Sequence, residues 1–167
     1  MTRAADWVRE EIRALSAYHV PPSAGLVKLD AMENPYPLPP AVAEALGRTL
    51  ASVALNRYPD PAAPSLKDSL RHAMGIPDSL GVLLGNGSDE LLQVIGVALA
   101  KPGASVLALE PSFVMYRMCA LVAGLGYEGV ALRADFSIDL PAVLAAIERR
   151  RPALTWIAYP NNPTGNL

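Results

Sequence analysis

The sequence predicts an α/β fold, a mostly parallel sheet covered by helices on both faces, and three observations carry that expectation. From residue 80 onward, short apolar runs alternate with longer runs of helical periodicity, the order in which strands and crossover helices follow one another. A glycine-rich turn, GNGSDE at residues 85–90, stands between the first such strand and the helix after it. With 51% hydrophobic residues and mixed charge, the 167 residues are enough for one hydrophobic core.

Taken in order, residues 4–17 read as a helix. The stretch 18–40 then carries six prolines, Pro21, Pro22, Pro35, Pro37, Pro39 and Pro40, and cannot be a regular element, so it is expected to form an extended arm. A helix follows over about 39–53, with proline in its first turn, where a missing N–H costs nothing. NRYPDP at 56–61 interrupts it, and 65–74 gives another short helix. Strand 82–84, helix 88–100 (apolar on nearly every face and so read as a buried helix) and strand 105–109 make one βαβ unit, with a right-handed crossover expected. A helix over 112–123, a strand near 127–132, a helix over 139–150 and a strand over 154–158 continue the alternation. The domain division expected is an N-terminal helix and proline-rich arm over 1–38, then the sheet domain over 39–167.

Composition excludes several functions. Net charge is −2, and the basic residues are scattered apart from Arg149, Arg150 and Arg151, so no electrostatic footprint for nucleic acid is present. That run reads as a solvated helix end, where arginine complements the helix dipole. Cys119 is alone and falls within the apolar helical pattern of Phe113, Tyr116, Ala120 and Leu121, which points to a buried core thiol and leaves no disulfide or cysteine cluster. His19 and His72 have no partner at metal-ligand spacing. The first eleven residues carry Asp6, Glu10 and Glu11 without an apolar segment, unlike a signal peptide, and no apolar stretch reaches membrane-spanning length. The expectation is a soluble, cytoplasmic chain with neither membrane nor nucleic-acid partners.

The strongest local signal for chemistry is GNGSDE. Glycines let the backbone approach a ligand, Ser88 is placed to cap the helix while offering a hydroxyl, and the free N–H groups of the first turn favour an anion. From the turn alone, a phosphate site and an ordinary capped βα turn stand level. A dinucleotide site is weaker: Gly85-Asn-Gly87 begins like that fingerprint and Glu110 ends the next strand, but Glu90 occupies the place of the third glycine. Asn86-Gly-Ser88 also matches a glycosylation sequon, which carries little weight without a secretion signal.

Several separated motifs agree in order: ENPY at 33–36, NRYP at 56–59, GNGSDELL at 85–92, EPSFVMY at 110–116 and PNNPTG at 160–165. Together they resemble the histidinol-phosphate aminotransferases of the class I/II, fold-type I pyridoxal-phosphate enzymes, over essentially the whole chain. The resemblance implies a three-layer large cofactor domain preceded by an arm. It implies that the amides of Ser88 and Asp89, preceded by Gly87, hold the phosphate of pyridoxal 5'-phosphate, and that Phe113 stacks on the pyridine ring where the family often has tyrosine. Asn162 would hydrogen-bond the phenolic oxygen. Tyr58 would reach the cofactor phosphate of the neighbouring subunit of a homodimer, and Tyr18 and Asn34 would face the substrate. Taken singly, Tyr18 and Tyr58 read as half-buried anchors and Phe113 as a core residue. The family often has Asn-Glu-Asn-Pro where this chain has Met32-Glu33-Asn34-Pro35, a departure that bears on substrate choice.

The activity implied is transamination of histidinol phosphate with 2-oxoglutarate, in histidine biosynthesis. That chemistry needs a Schiff-base lysine, and Lys28, Lys67 and Lys101 all read as surface residues outside the family's motif. The chain is therefore expected to be the N-terminal part of such an enzyme, inactive alone, with a sheet edge and apolar helix faces left uncovered. The alternatives are a non-catalytic phosphate-binding or interaction protein, or another enzyme of the same fold such as a phosphothreonine-type decarboxylase.

Overall fold

Four consecutive apolar residues, Val106 to Leu109, are fully buried in the middle strand of a parallel sheet, and the rest of the fold is arranged around them. The computed structural model describes residues 3–16, 22–28 and 33–167. In chain order the elements are a 3-10 turn at Ala4–Asp6, α1 (Glu10–Arg13), α2 (Pro40–Ala51), α3 (Pro64–Met74), α4 (Ser88–Leu99), β1 (Ser105–Glu110), α5 (Met115–Ala123), β2 (Gly126–Ala131), α6 (Leu140–Arg150) and β3 (Leu154–Trp156). They fall into two compact units, one built from residues 1–16 with 83–167, the other from 17–82.

In the first unit the described strands are three, in the order β2-β1-β3, all parallel. Because side chains alternate across a strand, Val106 and Ala108 face one side and Leu107 and Leu109 the other. The first pair packs with Cys119 and Ala120 of α5, Leu125 and Trp156, with Leu92 of α4 against them. The second packs with Val130 and with Val143 and Ala146 of α6. Helices thus cover both faces, the three-layer arrangement that the alternation predicts.

Local chemistry explains the helix ends. Asp139 caps α6 by accepting the Ala142 N–H at 3.2 Å, and Pro141 occupies its first turn. α5 ends on Gly124 at φ 81°, with the Leu125 N–H returning to the Ala120 carbonyl at 2.9 Å. Gly96 lets α4 lie close to α5: a Cβ there would sit 3.4 Å from that of Ala123. Cys119 is 4% exposed, and burial, then the charge of Asp89, pushes its thiol upward, as suits a core residue.

Four expectations need correction. Residues 82–84 form no strand, and Leu83 is 64% exposed; three residues between Gly81 and Gly85 make too few ladder bonds to order such flexible neighbours. The helix expected over 4–17 is broken at Arg9, whose backbone is extended, φ −53° and ψ 144°. Its guanidinium instead donates to the Leu121 and Val122 carbonyls at the end of α5, at 3.1 and 2.7 Å. α4 is apolar but not enclosed, with Val94 47% and Val97 57% exposed. Arg149 and Arg150 are not simply solvated, since both meet the carboxylate of Glu128 on β2.

In the second unit, α2 begins at Pro40 as expected, and α3 begins at Pro64, one residue before the expected start, and stops at Gly75, φ 64°. Arg71 closes the loop after α3 by donating to the Pro77 carbonyl at 2.8 Å and to that of Leu80.

Candidate functional site

The turn GNGSDE does lead into a helix, with Gly87 rather than Ser88 at the cap. Gly87 adopts φ 87° and ψ 173°, backbone angles that a side chain makes costly. A Cβ at Gly87 would meet nothing within 4 Å, so conformation and not crowding calls for glycine. Ser88 is the first residue of α4 itself, and no side chain caps the helix. With Gly87 in the cap position, Ser88 takes helical angles and its hydroxyl is no longer placed over the next two amides.

Glu90, where the dinucleotide fingerprint has glycine, turns its carboxylate back to accept the Asn86 N–H. It therefore orders the loop from within, much as the third residue of a capping box does. Gly87, Ser88 and Asp89 remain exposed, so the amides of this turn face open space at the positive end of the helix dipole.

Two more loops, those following the neighbouring parallel strands β1 and β3, are joined by Asn161. This side chain is buried, 6% exposed. The Ser112 hydroxyl donates to its Oδ1 at 2.8 Å. Its Nδ2 donates to the Pro111 carbonyl at 3.0 Å and to Thr164 Oγ1 at 2.7 Å. The backbone is engaged too: the Asn161 N–H donates to the Asn166 carbonyl at 3.0 Å, and its carbonyl accepts from the Gly165 N–H at 2.7 Å. Ser112 and Phe113 are thereby held out of α5, which begins at Met115 rather than at 112 as the pattern suggests.

Phe113 is half-buried and meets Tyr116 edge-on, ring centroids 5.6 Å apart, while Tyr116 stacks on Trp156 at 5.4 Å. It also lines a cavity of about 520 Å³ with Pro111, Val114, Arg117 and Tyr127. On the same side, the Glu110 carboxylate lies across Gly129, where a Cβ would be 2.3 Å from its Cδ. The Tyr127 phenol is pushed well above its ordinary range by burial, then by the charge and hydrogen bond of Glu110, against a smaller opposing effect of Arg117.

Of the expected site residues, Gly87, Ser88, Asp89, Phe113 and Asn162 therefore lie in one unit, on the turn before α4 and the loops after β1 and β3. Cys119 Sγ, 3.9 Å from the Asp89 carbonyl, places the first turn of α4 against α5. Asn34 and Tyr58 belong to the other unit. Asn34 accepts the Tyr36 N–H at 3.0 Å, an Asx turn, and Tyr58 is fully exposed instead of a half-buried anchor. Tyr18 lies outside the described residues. Asn161 is the residue that sequence reasoning passed over; its signal was a polar side chain at the end of an apolar strand, ahead of a proline turn.

Residues 24–167 match the profile of the aminotransferase class I and II family, and the chain belongs to that family. Within it, the chain is similar to histidinol-phosphate aminotransferases. It is 60% identical over 160 residues to one from Thiocapsa roseopersicina, covering 95% of this chain and 85% of that protein. With the histidinol-phosphate aminotransferase of Chromobacterium violaceum it shares 61% identity over 158 residues, 95% of this chain and 44% of that one. The chain thus spans most of the first relative and less than half the length of the second. Among solved structures, the histidinol-phosphate aminotransferase of Sinorhizobium meliloti in complex with pyridoxal-5'-phosphate superposes with a TM-score of 0.73 at 27% identity, over 96% of this chain and 44% of that one.

Proposed function

We propose that this chain forms part of a pyridoxal-phosphate-dependent aminotransferase that moves the amino group of histidinol phosphate to 2-oxoglutarate, as a cytoplasmic homodimer. The observation that carries the reading is the 60% identity to a histidinol-phosphate aminotransferase over 95% of the chain. The turn before α4 suits the cofactor's phosphate, because its helix start has no side-chain cap and the space beside Gly87 is open.

In this reading the Ser88 and Asp89 amides bind the phosphate, Phe113 orients the ring by stacking, and Asn162 donates to the phenolic oxygen. Tyr58 reaches the phosphate bound by the partner subunit, and Tyr18 and Asn34 face the substrate. When bound, pyridoxal phosphate supplies the electron sink for the charge that develops as the substrate Cα loses its proton. We assign none of Lys28, Lys67 and Lys101 to the amine that carries this proton: Lys28 pairs with Glu33 at 2.8 Å, Lys67 lies within α3, and Lys101 is exposed.

The test supplies the full-length protein with pyridoxal phosphate, histidinol phosphate and 2-oxoglutarate and follows glutamate. Glutamate formation that depends on histidinol phosphate is expected. Turnover with other amino donors but not with histidinol phosphate would overturn the substrate assignment.

A further inference from the structure

We infer that Asn161 is a positioning residue, one whose buried side chain sets where both Phe113 and Asn162 meet the cofactor. The inference rests on the aminotransferase reading above and adds a residue to which that reading gives no role. Phe113 is the residue after Ser112, and Asn162 the residue after Asn161, so the two hydrogen bonds of Asn161 to the first loop, from the Ser112 hydroxyl at 2.8 Å and to the Pro111 carbonyl at 3.0 Å, fix the spacing of the two groups across 49 positions of chain.

The side chain is suited to this and to little else. Both hydrogens of its amide are used, on the Pro111 carbonyl and the Thr164 hydroxyl, and its oxygen accepts from Ser112. Thr164 passes the constraint to Asn166, and Asn166 to the Phe136 carbonyl, so the turn is held from both ends. Loops after two parallel strands are otherwise independent, and a stacking ring and a hydrogen-bond donor that serve one ligand tolerate little relative displacement.

The experiment compares the full-length protein with its Ser112→Ala, Asn161→Ala and Asn162→Ala variants, each with pyridoxal phosphate, by visible absorption against pH, by cofactor affinity and by melting temperature. Removing a donor from the phenolic oxygen leaves more negative charge there to hold a proton, so Asn162→Ala raises the pH midpoint of the visible band by about one unit. Asn161→Ala and Ser112→Ala are expected to move it in the same direction by less, and to weaken cofactor binding about threefold or more. Midpoint and affinity at wild-type values in both variants, with only the melting temperature lowered, would overturn the inference. If Asn161→Ala does not fold, Ser112→Ala decides, since it deletes a single bond. A wild-type protein that develops no visible band with pyridoxal phosphate would overturn the aminotransferase reading itself, whereas a wild-type band with unshifted variants removes only the role of Asn161.

Discussion

The Arg9 guanidinium donates to the Val122 carbonyl oxygen at 2.7 Å, fastening the first described segment to the C-terminal end of α5. A cation at that place satisfies carbonyls the helix itself cannot use and lies favourably in its dipole. Arg9→Ala should lower stability by about 0.5–1.5 kcal/mol. Hydrogen exchange should quicken first at the amides of α1, and exchange unchanged there would count against this role.

Gly87 holds an angle that an L side chain adopts with strain, and open space around it leaves no compensating contact. Gly87→Ala should cost about 1 kcal/mol or more in denaturant titration. Phosphate binding at the turn should weaken with it, readable as a lower affinity for pyridoxal phosphate.

Tyr127 gives the fold an alkaline limit. Its phenol is raised above the ordinary 10.0 by burial and then by Glu110, so the folded state holds the proton more tightly than the unfolded one. The stability this contributes is complete below the ordinary value and is lost as pH rises toward the folded one. Tyr127→Phe should flatten the alkaline loss of stability. Gly129→Ala should push the Glu110 side chain aside and bring the phenol back toward its ordinary range, measured by phenolate absorbance.

Glu128 behaves in the opposite sense. Burial opposes its ionisation, but the hydrogen bond from Arg149 and the ion pair with Arg150 outweigh that and hold the carboxyl below its usual range. Its contribution is present above the ordinary carboxylate pKa and lost as pH falls through the depressed one. Glu128→Gln should therefore lower the melting temperature at neutral pH, and the gap from wild type should close as pH falls through the depressed carboxyl range and shrink in high salt.

The alternation of apolar runs made the sheet and its helices legible, because short apolar runs such as Val106 to Leu109 of β1, buried on both faces, alternate with the longer helical runs of α5 and α6. Strand 82–84 failed since its period is too short to distinguish from a loop. The cap on α4 was misassigned because serine and glycine both suit that position, and only the backbone angle of Gly87 decides between them. The pairing of Arg149 and Arg150 with Glu128, and the bonds of Asn161, are contacts between distant parts of the chain, which local pattern does not encode. The loops that carry Asn162 and Phe113 were marked by motifs; the side chain that joins those loops was not.

β1 comes first among the described strands yet lies between the other two, and that has a consequence during synthesis. Leu154 pairs with Val106, so one side of β1 waits for residues made some fifty positions later. At about 5–20 residues per second, Val106 to Leu109 spend roughly 2–10 s outside the ribosome with one flank unpaired. Four consecutive buried residues are thus left half-built until the last described strand is made.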